Sequence, residues 1–184
     1  MSTSAKTDNM NGERAIHLIV FDGFADWEPA YALAELRRWG KRTVRTIGFT
    51  RAPVTSMGGL RVTPDLELRE AQPAEIELLF VPGGDIWETA DYPRAMLDAL
   101  LATLAAAETP IAAICAGTLA LGRAGVLNDR AHTSNLRSYL PKHVPNYAGG
   151  TYYVDAPAVR DQRVITASGL APVDFARQIF AELS

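Results

Sequence analysis

Short apolar runs alternate along this chain with stretches whose apolar residues recur every three or four positions. The runs at 16–21 (Ile-His-Leu-Ile-Val-Phe), 76–81 (Ile-Glu-Leu-Leu-Phe-Val) and 111–114 (Ile-Ala-Ala-Ile) read as buried core strands, and 44–50 as a further strand. Helical spacing fills 27–39, 93–107, 119–124 and 172–183. In the first helix Tyr31, Leu33, Leu36 and Trp39 form the expected buried stripe, Pro29 suits the first turn and Gly40 the C-cap. In the last, Val173, Ala176, Ile179, Phe180 and Leu183 form it. Residues 53–56 and 60–63, joined through Met57-Gly58-Gly59, predict a small hairpin. Short strands are expected at 131–134, 151–154 and 158–159. Residues 136–140 read as one or two helical turns stopped by Pro141. Arg160-Asp161-Gln162-Arg163 makes a polar turn into a strand at 164–167. This βα alternation predicts an α/β fold: a doubly wound, mostly parallel sheet with helices on both faces and a small β-hairpin excursion.

A length of 184 residues predicts one domain, 15–184, after a polar N-terminal tail at 1–14 that is expected to be disordered. That tail lacks the apolar core of a secretory signal, and no run approaches the ~18 apolar residues that a membrane span needs. The net charge of −3, with both signs spread along the chain, gives no basic stripe for nucleic acid. One cysteine allows no internal disulfide, and a reducing cytoplasm is expected. His17, His132 and His143 lack zinc-type spacing, so no metal and no cofactor is expected. His17 reads as a strand-end or exposed position.

The chemistry gathers where strands end. The run 111–114 stops at Cys115 and turns through Ala116-Gly117 into a helix, the pattern of a nucleophile elbow. A thiol there stands at a helix N-terminus, which favours thiolate. The other reading of a lone cysteine is a small buried hydrophobe. Glu28 follows the first strand at the start of a helix, either as a catalytic carboxylate or as an acid favoured by the helix dipole. Gly83-Gly84 follows the 76–81 strand, either aiming backbone N–H groups inward or making a tight turn. All three should share the carboxyl edge of the sheet, where ligands bind in such folds. Two anions this close share a proton; the pattern predicts a protonated Glu28 facing a thiolate Cys115. His132 reads as an imidazole near the same edge or as a structural histidine. Thr118 lines the pocket or bonds backbone in its first turn. The shape of the pocket depends on the loops at 85–88 and 139–152.

These residues resemble the ThiJ/PfpI family of the glutamine amidotransferase-like superfamily over nearly the whole chain after Arg14. The resemblance rests on Phe24-Ala25-Asp26-Trp27-Glu28, Phe80-Val81-Pro82-Gly83-Gly84 and Ala113-Ile114-Cys115-Ala116-Gly117. Further on it includes Gly125-Val126-Leu127, Ala131-His132-Thr133-Ser134, Ile165-Thr166-Ala167-Ser168-Gly169 and Pro172-Val173-Asp174-Phe175. It implies a flavodoxin-like fold, a homodimer, Cys115 as nucleophile, Glu28 as its partner, and an oxyanion site of backbone N–H groups near Gly84 and Ala116. The protease-like branch has His directly after the cysteine; Ala116 stands there, against a peptidase. The C-terminus lacks the His-x-Glu of a true glutamine amidotransferase.

The expected activity is cofactor-independent chemistry on a small electrophile. Its concrete form is glyoxalase- or deglycase-like: Cys115 adds to an α-oxoaldehyde to give a thiohemiacetal, and Glu28, with His132, moves protons. Isocyanide hydration, with Asp26 in place of Glu28, is an alternative from the same superfamily. A non-enzymatic sensor, in which Cys115 oxidises to sulfinic acid beside Glu28, is another. A plain scaffold follows if Trp27, Trp87 or Tyr92 fills the pocket.

Overall fold

The computed structural model describes residues 14–184. The expected tail lies outside the described residues apart from Arg14, whose Nε and Nη2 donate to the Ile76 carbonyl at 3.0 and 2.6 Å. In chain order the elements are β1 (Ala15–Val20), α1 (Trp27–Arg38), β2 (Val44–Gly48), the hairpin strands β3 (Val54–Thr55) and β4 (Arg61–Val62), and β5 (Leu66–Glu67). β6 (Ile76–Val81), α2 (Ile86–Thr89), α3 (Arg94–Ala106), β7 (Ile111–Ile114) and α4 (Thr118–Arg123) follow. The chain ends with α5 (Tyr139–His143), β8 (Ala158–Asp161), β9 (Val164–Ala167) and α6 (Pro172–Leu183).

Every residue of β1 and β7 is buried, as strands covered on both faces require. The main sheet runs β5-β2-β1-β6-β7-β9-β8, parallel except for β8, and the hairpin β3-β4 stands apart. The fold is flavodoxin-like. α1 packs on α6 and α3 on α4, and the two pairs flank the sheet. The chain winds outward from β1 to β2 and β5, then returns to β6 on the other side. Connections leaving β1 and β6 therefore part in opposite directions and open a crevice at the carboxyl ends of the strands. Parallel pairing of β1 with β6, β6 with β7 and β7 with β9 brings the residues after β1, β6, β7 and β9 to this one edge.

Several local expectations change. The inward face of α1 is Glu28, Pro29, Ala32 and Leu36, while Tyr31 and Trp39 are 50% and 67% exposed. A stripe centred on the small Ala32 lets the helix sit close to α6, and the same rotation carries Glu28 inward. His17 is buried, not exposed; its Nδ1–H donates to the Ala15 carbonyl at 3.0 Å, and burial holds its pKa down, so it stays neutral. The strands expected at 131–134 and 151–154 reduce to one parallel bridge between His132 and Tyr153, and Gly149–Tyr152 forms a 3-10 turn. Side chains replace a ladder here: the Thr133 N–H donates to Thr166 Oγ1 at 2.8 Å. Pro141 does not stop the helical turn before it. It lies in the first turn of α5, where an absent N–H leaves nothing unpaired. The β8–β9 turn carries Gln162 and Arg163 at φ 45° and 64°, the handedness that a tight hairpin needs.

Candidate active site

The elbow begins with strain. Cys115 has φ +56°, a left-handed value uncommon for a side-chain-bearing residue, and opens the 3-10 turn Cys115–Gly117 that leads into α4. The turn fits because position 117 has no side chain: a Cβ there would strike the carbonyl oxygens of Val81 and Pro82. Thr118 is wholly buried beneath the turn. Its Oγ1 donates to the Cys115 carbonyl at 2.6 Å and lies 2.6 Å from Ser134 Oγ. It braces the elbow from below and does not line the cleft.

Glu28 is buried at the start of α1, and its Oε2 accepts the Gly83 N–H at 2.5 Å. Glu28 and Cys115 face each other across two glycines. A Cβ on Gly83 would lie 2.8 and 2.9 Å from the two carboxyl oxygens and 2.9 Å from Cys115 Cβ. One on Gly169, after β9, would lie 2.8 Å from Cys115 Sγ and 3.3 Å from Glu28 Oε1. The Gly83-Gly84 loop is held from behind: the Trp87 indole N–H donates to the Pro82 carbonyl at 2.7 Å, and Phe21 packs edge-on against Trp87. A Cβ on Gly84 would meet the Phe21 ring at 2.5 Å. Trp87 and Tyr92 thus pack with Phe21 and Phe49 in the core and leave the cleft open.

That cleft has a volume of about 160 Å³. Glu28, Gly84, Cys115, Ala116 and Asn135 line it together with Trp27, Asp85, Glu88 and Tyr139. Tyr139 donates to Glu88 Oε1 at 2.6 Å, so the starts of α5 and α2 meet beside the cleft. Among the described residues the Gly84 N–H has no hydrogen-bond acceptor.

Burial pushes the Glu28 carboxyl up to about 7, against the opposing hydrogen bonds from Gly83 and Cys115. Burial also pushes the Cys115 thiol up to about 11, with the Glu28 charge next, while Asn135 and the Ala116 N–H pull it down. Burial thus disfavours the charged form of both groups, and the thiolate expected of a helix N-terminus is opposed by lost hydration. α4 has only six residues, and its dipole is outweighed by lost hydration. Between these two values the pair carries one proton.

His132 is not brought to the sulfur. It is fully buried, Nδ1 bonded to the Arg130 carbonyl at 2.8 Å and Nε2 to Tyr147 OH at 2.5 Å, with Tyr147 and Tyr153 edge-on to its ring. None of the three histidines lines the cleft. Asp26 accepts the Gly58 N–H at 2.9 Å and is tied to the hairpin. The residue that sequence reasoning passed over is Asn135, whose Nδ2 lies 3.3 Å from Cys115 Sγ.

The chain belongs to the DJ-1/PfpI family, whose model matches residues 14–182. It is 39% identical over 180 residues to the Bacillus subtilis "Uncharacterized protease YoaZ", covering 92% of this chain and 83% of that one. It is 32% identical over 140 residues to "Deglycase TK1284" of Thermococcus kodakarensis, covering 76% and 81%. The crystal structure of the DJ-1 superfamily protein Atu0886 from Agrobacterium tumefaciens superposes with a TM-score of 0.86 at 40% identity, covering 92% of this chain and 89% of that one. Among the described residues no helix is long and apolar enough to cross a membrane.

Proposed function

We propose that this DJ-1/PfpI family member is a cofactor-independent, cysteine-dependent enzyme acting on α-oxoaldehydes or their adducts, in the manner of a glyoxalase or deglycase. The observation that carries this reading is the pairing, in one small cleft, of a strained cysteine with a buried carboxyl group poised near 7. A general acid–base works best when its pKa lies near the working pH. The relative named a deglycase supports the deglycase side of this reading.

With an aldehyde such as methylglyoxal in the cleft, Glu28 accepts the thiol proton as Sγ bonds to the aldehyde carbon. The carbonyl oxygen becomes an alkoxide within reach of the Gly84 and Ala116 N–H groups, then takes a proton from Glu28 to give the thiohemiacetal. The Glu28 carboxylate then removes the hydrogen on that carbon and returns it to the neighbouring carbon, while the hydroxyl proton passes from the first oxygen to the second, leaving a hydroxyacyl thioester. Water hydrolyses the thioester and releases lactate and the thiol. One carbon is oxidised and its neighbour reduced, so no external redox partner is needed. His132, with both ring nitrogens bonded elsewhere, takes no part. Thr118 acts through the elbow's shape.

Isocyanide hydration through Asp26 is disfavoured because Asp26 is engaged with Gly58. A peptidase is disfavoured because no imidazole reaches the sulfur. The chain works as a cytoplasmic homodimer in this reading. Trp27 on α1 and Met57 of the hairpin turn are both exposed and line the same cleft mouth, which a second copy would cover. Sedimentation velocity checks the dimer. The activity is tested by incubating purified protein with methylglyoxal without glutathione and measuring lactate. Turnover by the wild type and none by Cys115→Ala is expected; equal lactate from both overturns the proposal.

A further inference from the structure

Asn135 lies in the loop before α5, and its side chain crosses to the sheet edge. Nδ2 lies 3.3 Å from Cys115 Sγ, and Oδ1 lies 3.0 Å from the Gly169 nitrogen. The orientation of this amide is fixed by chemistry. A backbone N–H only donates, so the atom facing Gly169 must be the oxygen, and the NH2 group must face the sulfur. The amide is held from its far end by the loop that follows β9, and it cannot turn away without losing the Gly169 bond.

An amide at this place differs from an imidazole in one respect. It donates a hydrogen bond but takes up no proton at any ordinary pH. His132, the nearest candidate in the sequence, is sealed between Arg130 and Tyr147. Glu28 is the titratable group packed against the sulfur itself; Asp85, Glu88 and Tyr139 line the same cleft, with the Tyr139 hydroxyl committed to Glu88.

We propose that Asn135 is a further catalytic residue of this site: a fixed, uncharged donor that stabilises the Cys115 thiolate as it forms and leaves all proton transfer to Glu28. A hydrogen bond to an anion is stronger than one to a neutral thiol, so the contact favours the ionised sulfur over the resting one. The direction agrees with the lowering that Asn135 exerts on the Cys115 thiol. The assignment deepens the cysteine-dependent reading of the cleft and rests on it, yet it can be tested without any substrate.

The test is the pH dependence of Cys115 alkylation by iodoacetamide in the wild type, Asn135→Ala and Asn135→His, with circular dichroism and melting as a check of folding. Asn135→Ala is expected to move the alkylation midpoint to more alkaline pH and to slow the reaction at pH 7 about tenfold, with the high-pH plateau kept. Asn135→His is expected to add a second ionisation to the profile. If Asn135→Ala folds and its profile overlays the wild type, the proposal fails. If it does not fold, the side-chain amide resonance of Asn135 in the wild type decides: it must shift as Cys115 ionises, and a resonance unmoved through that transition overturns the assignment. Because alkylation involves no aldehyde, an absence of lactate production would count against the proposed substrate and not against this role.

Discussion

The Gly83 N–H donates to Glu28 Oε2 at 2.5 Å and ties the loop after β6 to the first turn of α1. The bond joins the two sides of the crevice and aims the carboxyl group at the elbow. It does not by itself offset the burial of Glu28, whose pKa still rises to about 7.

This has a measurable thermodynamic consequence. Glu28 ionises near 4.5 when unfolded and near 7 when folded. The folded state therefore loses stability, relative to the unfolded state, as pH rises from 4.5 to 7, and the full penalty applies above 7. Glu28→Gln removes that penalty. The variant is expected to be more stable than the wild type at pH 8 by up to about 3 kcal/mol, with the gap closing toward pH 4.5. Urea unfolding at a series of pH values checks the trend, while the variant should lose turnover.

Gly169→Ala would place a methyl group 2.8 Å from Cys115 Sγ and 3.0 Å from its Cβ. Real side chains do not approach so closely, so the loop or the cysteine must shift. A destabilisation of about 1–3 kcal/mol is expected. Alkylation of Cys115 should slow as the sulfur is covered, and a rate equal to that of the wild type would show the loop yielding instead.

His132→Ala removes a buried ring that bonds the Arg130 carbonyl and Tyr147 OH. Lost bonds and a new cavity should cost about 3 kcal/mol. The pH profile of Cys115 alkylation is expected to stay where it is. A shift of that profile would return His132 to the site chemistry.

Thr118→Val keeps the shape but removes the donor to the Cys115 carbonyl and the partner of Ser134 Oγ. About 1–3 kcal/mol of stability should be lost in denaturant unfolding. The elbow at φ +56° has less bracing without it, so kcat should fall more than KM rises.

Much of this molecule was legible in its sequence. Buried parallel strands need near-continuous apolar runs, and β1, β6 and β7 have them, with β1 interrupted only by His17 and β6 only by Glu77. Their order, broken by helices, leaves a doubly wound sheet as the economical arrangement. From that alone Glu28, Gly83, Gly84 and Cys115 fall on one edge, because parallel strands deliver their carboxyl ends to the same side. The small residues after Cys115 announced the elbow, since a sharp turn against another strand leaves no room for side chains.

The rest depended on long-range packing. The face that α1 turns inward was set by packing on α6: Leu33 and Leu36 of the expected stripe pack inward, while Tyr31 and Trp39 gave way to Ala32 and Glu28. Periodicity marks a helix but does not select between two faces that both carry apolar residues. Hydration lost on burial raises both Glu28 and Cys115 and so opposes the thiolate that local helix geometry suggests, a term that sequence position alone does not carry. Asn135 met partners 20 and 34 positions away in the chain, and His132, three residues before it, was turned into the core. Chain order fixes which residues follow the strands. Which side chains in an irregular loop reach the sulfur depends on the packing of segments that are remote in sequence, and only the folded chain supplies that.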